Sequence, residues 1–211
     1  ARASFAPGAY VFPGGAIDEA DRDAAHDPAL AWRPDQDETL RPALLAAVRE
    51  SFEELGVLLA RDAHGRWVDP ATLAALDRHG PLLPQCRTHG LTLALDALWW
   101  LAHWITDRDL PKRFDVPFFI ARMPPDQTPQ ADNREQFEPI WVAPGEALRR
   151  HAAGDFPMVY PTVRTLEHLQ RHPDSAGQLD ACAARQGPQW VSCPRAGCLR
   201  GAGGREEAGA H

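Results

Sequence analysis

Between Leu44 and Gly56 the sequence permits one local structure. Leu44, Val48, Phe52 and Leu55 recur with the period of one helical face, and Gly56 follows the last of them, where a left-handed C-terminal cap belongs. The same run carries Arg49, Glu50, Glu53 and Glu54. Positions i, i+3 and i+4 share a face, so three carboxylates gather on one side while Phe52 and Leu55 turn to the core. At an effective dielectric near 20, two like charges about 5 Å apart repel by roughly 3 kcal/mol. The helix propensity of glutamate returns only a fraction of that. Such a face calls for a positive partner. A hard divalent cation, Mg²⁺ or Mn²⁺, suits carboxylate oxygen and keeps waters that it can polarise. Arg49 is available to hold one acid by a bidentate pair.

A solvated acidic face is the ordinary reading of glutamates on a helix. The chance of meeting Arg-Glu-x-x-Glu-Glu-x-Gly in a chain this long is on the order of one in several thousand at background frequencies. That rarity favours a site. The rest of the composition is consistent with a small-molecule enzyme. The 211 residues are 44% apolar and 24% charged, enough for one sizeable core. A net charge of -7 argues against the phosphate backbone of nucleic acid as the main partner. The most apolar window, Leu91 to Ile105, contains Asp96 and His103, so no segment reads as a membrane span. Four unevenly placed cysteines, Cys86, Cys182, Cys193 and Cys198, point to a reducing, cytoplasmic compartment rather than a disulfide scaffold. Residues 1–5 show neither an initiator Met nor an apolar leader, which reads as a fragment that starts inside a fold.

Along the chain, Ala9 to Phe12 reads as a short strand entering the bend Pro13-Gly14-Gly15. The polar, proline-bearing stretch from Asp18 to Arg41 reads as a loop or broken helix. Strands are expected at 57–60, 98–106, 114–122 and 139–143, with Pro117 marking an edge or bulge. Asp69 and Pro70 open a short helix that Gly80 closes; further helices are expected from Pro144 and over 163–172. Beyond Ala176 the hydrophobic period fades, and 176–211 reads as a disordered tail.

Gly15, an acid at Asp21 and then Arg49-Glu50-Ser51-Phe52-Glu53-Glu54-Leu55-Gly56-Val57 resemble the Nudix box, G-x5-E-x7-R-E-U-x-E-E-x-G-U. Two features depart from the pattern. The first acid is aspartate, and residues 22–48, 27 in all, stand where the usual box has seven. A lengthened box opening with Phe12-Pro13-Gly14-Gly15 is similar to the branch that contains peroxisomal coenzyme A and acyl-coenzyme A diphosphatases. Gly8 through Gly15 also fits the coenzyme A signature G-x3-F-P-G-G, although Ser4 stands where that signature has arginine.

The resemblance implies an α/β/α sandwich with a mixed sheet over residues 1–175, lacking its first strand or strands and carrying an insertion at about 22–41. It implies Mg²⁺ or Mn²⁺ held by Glu50, Glu53, Glu54 and the carbonyl of Gly15. Phe12, Gly14 and Gly15 would line the substrate. It also implies catalysis by Arg49 and the three glutamates, with a further acid from the loop before Trp141: Glu135, or alternatively Glu138. The expected reaction is attack of water on a phosphorus of a nucleoside diphosphate linked to another moiety. A non-catalytic nucleotide- or protein-binding module and an inactive truncated fragment stand as alternatives. The sequence leaves the oligomeric state open, a homodimer included.

Weaker signals point elsewhere. Cys193 and Cys198 have a spacing near that of zinc ligands but lack a second tight pair. Trp99, Trp100, Trp104 and Trp141 are candidates for stacking on a nucleobase, although strand aromatics are more often core. His103 reads as a hydrogen-bonded histidine rather than a general base.

Overall fold

The computed structural model describes residues 8–105, 115–132, 138–172, 174–184, 188 and 190–192. They fall into two compact units, one drawn from 1–97 and 122–170, the other from 98–121 and 171–211. The first unit begins with α1 (Glu19–Asp23), a 3-10 turn at Ala24–His26, the strand β1 (Leu30–Ala31), a second such turn at Glu38–Leu40 and the long helix α2 (Arg41–Leu55). Then come β2 (Ala60–Arg61), α3 (Pro70–Ala74), α4 (Leu82–Thr88) and β3 (Thr92–Ala94), and later α5 (Pro144–Ala153) and α6 (Tyr160–Leu169). β3 is the centre of a mixed three-stranded sheet, parallel to β1 and antiparallel to β2.

Helix α2 forms where its apolar period demands. Leu44, Val48 and Phe52 are buried in the core, and Gly56 closes the helix at φ 67°, donating its N–H to the Phe52 carbonyl at 2.8 Å. A residue with a side chain pays a steric penalty at that φ. Leu45 and Ala46 are buried as well, so the helix is covered on more than one face. Each large apolar side chain so buried contributes about 1.5–3 kcal/mol. Asp69 caps α3 as its side chain accepts the N–H groups of Ala71 and Thr72. Helix α4, not foreseen, tolerates Pro84 because the first turn has no intrahelical acceptor for that N–H.

Several expected elements are corrected. Ala9 to Phe12 forms no strand: Tyr10 makes one parallel bridge to Met158, its N–H reaching the Pro157 carbonyl at 2.8 Å. Prolines at 13 and 157 withhold the donors a ladder would need. The stretch 18–41 is not merely a loop, since β1 lies within it and pairs with β3. Of the expected strand 57–60 only Ala60 is in β2. Leu58 instead donates its N–H to Gln127 Oε1 at 2.9 Å and accepts from Gln127 Nε2 at 3.0 Å. A primary amide presents acceptor and donor side by side, so it stands in for a strand neighbour. Residues 139–143 form no strand; Trp141 is 76% exposed, and Pro139 and Pro144 bound the run.

The second unit contains β4 (Leu98–Ile105), β5 (Asp115–Ala121), α7 (Ser175–Ala183) and β6 (Trp190–Ser192). Its sheet has the order β5-β4-β6, with β5 antiparallel and β6 parallel to β4. Pro117 lies on the outer strand β5 opposite His103, with a bulge between Trp100 and Ala102 on β4. His103 pairs with Asp115. The expected tail from 176 is corrected in part: α7 and β6 are ordered elements. Only Leu179 and Cys182 of α7 are buried, too short a stripe to stand out as a period in the sequence. Cys193, Cys198 and the rest of 193–211 lie outside the described residues.

Cys86 on α4 is fully buried, and burial pushes its thiol from 9.0 up to about 11. The fold therefore favours the neutral thiol, and the stability this contributes is present below pH 9 and lost as pH rises through about 11. Iodoacetamide at pH 8 is expected to leave Cys86 unlabelled in the native protein and to label it in guanidinium, read by peptide mass spectrometry. Ready labelling of the native protein would contradict the packing of α4. Among the described residues no helix is long and apolar enough to cross a membrane.

Candidate active site

One guanidinium organises the acidic turn of α2. Arg49 donates from Nε and Nη2 to the two oxygens of Asp21, at 3.1 and 2.9 Å. Its Nη1 reaches Glu50 Oε1 at 2.9 Å and Glu53 Oε2 at 3.2 Å, and Nη2 also reaches the Ala16 carbonyl at 3.0 Å. Asp21 is only 3% exposed, and its direction is fixed locally by a reciprocal cap on α1. Asp21 Oδ2 accepts the Asp18 N–H at 3.1 Å, and Asp18 Oδ1 accepts the Asp21 N–H at 2.7 Å. The chain thus folds back so that Asp21, the acid just before the insertion, meets Arg49.

The charges respond to this crowding. Burial opposes the charge on Arg49, but the Asp21 hydrogen bond and the charges of Glu50, Asp21 and Glu53 more than offset it and raise its pKa. Glu53 is shifted upward: burial is the largest cause, and repulsion from Glu50 and Asp21 adds to it against the attraction of Arg49.

The glycine bend meets the helix directly. Glu54, 5% exposed, accepts the Gly14 N–H at 3.1 Å. Glu50, 7% exposed, fills the space over Gly15, where a Cβ would lie 2.1 Å from Oε1 and 2.4 Å from the carboxyl carbon. Only glycine admits that approach. The acids are not a solvated face: Glu50 and Glu54 are buried against the bend, and Glu53 is half-buried.

The three carboxylates do not close on a common point. Among the described residues no three Asp, Glu, His or Cys groups are arranged as a ready metal site. Glu50 and Glu53 turn to Arg49, and Glu54 turns to Gly14. Their chemistry nonetheless fits a hard divalent cation. Asp18, Asp21, Glu50 and Glu53 pair with Arg49, and with Glu54 on the same turn the five acids and one arginine leave four formal negative charges; the donors are all oxygen, and the cradle over Gly15 brings backbone against Glu50.

The last carbonyls of α2 are also occupied. Those of Glu54 and Leu55 accept the N–H groups of Asp132 at 3.0 Å and Gln130 at 2.8 Å. Those of Phe52 and Glu53 accept Arg78 Nε at 3.1 Å and Nη2 at 2.9 Å.

The structure therefore brings together Arg49, Glu50, Glu53, Glu54, Gly14 and Gly15. Phe12, two residues before Gly14, is 40% exposed. Glu135 lies outside the described residues. Glu138 pairs with Tyr10, whose hydroxyl donates to Oε2 at 3.1 Å, and the Tyr10 ring stacks on Phe156 at 3.8 Å. Of the tryptophans, Trp104 is buried and Trp141 is exposed. Sequence reading missed Asp18, although Asp18-x-x-Asp21 is legible as a capping pair, and it missed Gln127, for which no local signal exists.

The site is an acidic helix turn set against a glycine bend on an α/β frame. By sequence the chain is 27% identical over 197 residues to a Caenorhabditis elegans protein provisionally named nudix hydrolase 7, covering 92% of this chain and 59% of that protein. The chain thus spans about three fifths of the length of that curated relative. By structure it is similar to the crystal structure of NUDIX hydrolase from Alicyclobacillus acidocaldarius, with a TM-score of 0.69 and 29% identity, covering 82% of this chain and 80% of that one. No protein-family model matches the chain. The α/β fold is similar to that of a Nudix hydrolase.

Proposed function

We propose that the chain hydrolyses the pyrophosphate link of a nucleoside diphosphate joined to a second moiety, with Mg²⁺ or Mn²⁺ held by Glu50, Glu53, Glu54 and the Gly15 carbonyl. The single observation that carries this reading is the contact of the Glu50 and Glu54 carboxylates with Gly15 and Gly14. It sets anionic oxygens and a backbone bend side by side, which a lone acidic helix face has no reason to do. The cation, when bound, supplies positive charge to the diphosphate and acidifies water.

The residues of this chain do the remaining work. Arg49, anchored on Asp21, holds Glu50 and Glu53 in fixed directions. Glu53, whose proton affinity burial raises, orients water and takes up its proton. The water oxygen forms a bond to phosphorus as the bridging P–O bond breaks, and two phosphate-bearing products leave. Glu135, or Glu138, adds a second acid from the loop before Trp141, and Phe12 packs on the substrate. The Phe12-Pro13-Gly14-Gly15 opening and the lengthened box favour coenzyme A or an acyl-coenzyme A as the substrate within this class.

The test is turnover with Mg²⁺ or Mn²⁺ on coenzyme A, acyl-coenzyme A, NADH, ADP-ribose and diadenosine polyphosphates, with products resolved by chromatography. Glu53→Gln is expected to keep the melting temperature within a few degrees and to lower kcat about 10³-fold. Equal activity in parent and mutant would remove Glu53 from the mechanism. Binding without turnover in the parent would favour a non-catalytic module.

A further inference from the structure

We infer that Arg78 is a positioning residue for the acidic turn, locking the end of α2 to the loop 126–132; this rests on the proposed hydrolase reading. The guanidinium is half-buried and spends its donors on backbone. Nε takes the Phe52 carbonyl at 3.1 Å, and Nη2 takes those of Glu53 at 2.9 Å and Gln130 at 3.0 Å. The last four carbonyls of a helix have no partners within it, and a cation there opposes the negative end of the helix dipole. Here residues 52–55 all find partners. Gly56 and Arg78 serve Phe52, Arg78 serves Glu53, and the N–H groups of Asp132 and Gln130 serve Glu54 and Leu55.

Two consequences follow from one group bonding both sides. The carbonyls it grips belong to Phe52 and Glu53, and Glu53 is itself one of the three acids, so Arg78 sets the rotation of the turn that aims Glu53 and Glu54. Through Gln130 it also fixes the spacing between that turn and the loop whose chain continues toward Glu135. Gln127 reinforces the same junction by its two bonds to Leu58. Lysine carries the charge but not a planar fork able to serve three acceptors in fixed directions.

The experiment compares parent, Arg78→Lys and Arg78→Ala in three readouts: kcat and KM on the best substrate, binding of Mn²⁺ alone by electron paramagnetic resonance, and thermal melting. Arg78→Ala is expected to lower kcat 10- to 100-fold with KM changed less than threefold, and to weaken Mn²⁺ binding about tenfold. Arg78→Lys is expected to fall between, and free guanidinium at millimolar concentration to restore part of kcat to Arg78→Ala. Folded variants with parental kcat and parental Mn²⁺ binding overturn the inference. If Arg78→Ala does not fold, an Arg78→Lys protein equal to the parent overturns it too, leaving charge alone as the role; failure of both to fold assigns Arg78 to stability and also overturns it. A parent that binds Mn²⁺ but turns nothing over breaks the hydrolase reading while the Mn²⁺ readout still decides the role of Arg78. A parent that does neither overturns both.

Discussion

Gly15→Ala is expected to lower kcat/KM by at least about 100-fold while shifting the melting temperature by only a few degrees. The added methyl would stand 2.1 Å from Glu50 Oε1, far inside contact distance, so one of the two must move. The mobile partner is the carboxylate, the far end of a flexible side chain. Swinging it to a poorer rotamer costs about 0.5–1.5 kcal/mol, which the fold tolerates. The same swing breaks the 2.9 Å bond to Arg49 and takes one anionic oxygen away from the bend. Stability and activity should therefore separate. Steady-state kinetics and a thermal melt of the two proteins side by side check this, and retained activity would show that the position of Glu50 over Gly15 is irrelevant to function.

The second large effect is on the fold itself. Arg49→Ala removes the cation that touches Asp21, Glu50 and Glu53 at 2.9 to 3.2 Å. Removing one partner from a buried ionic network costs about 3–5 kcal/mol, because the remaining charges stay desolvated. For a chain of this size that is on the order of 10 °C in melting temperature. Arg49→Lys should recover only part of it, since an ammonium cannot hold both oxygens of Asp21 and two glutamates together. Turnover should fall in both variants as Glu50 and Glu53 lose their directions. Urea melts with an unchanged m-value would measure the stability loss. A cost under about 1 kcal/mol would mean that water, not Arg49, screens these acids.

Both predictions were partly legible in residue spacing and partly not. The helix with Glu50, Glu53 and Glu54, its glycine stop and the Pro13-Gly14-Gly15 bend could be read directly, because helical period and capping are local rules. The strands at 98–105 and 115–121 were legible for the same reason, from dense aromatic and β-branched residues. The misreadings share a cause. β1 is two residues long, Leu58 is served by the side chain of Gln127, and Ala9 to Phe12 has a single bridge. Each is decided by a partner distant in sequence, which no local pattern encodes.

By itself the sequence determined the chemistry on offer: an anionic turn of α2, an adjacent arginine and a glycine bend able to approach it. Tertiary structure decided how these are deployed. It buried Glu50 and Glu54 where a solvated face was the simplest reading, folded the lengthened insertion so that Asp21 anchors Arg49, and placed Arg78 and the loop 126–132 on the open end of the helix. The physical reason is range. Propensity and periodicity act over a few residues, whereas the burial of a charge and the choice of its partner depend on which distant segments exclude water around it.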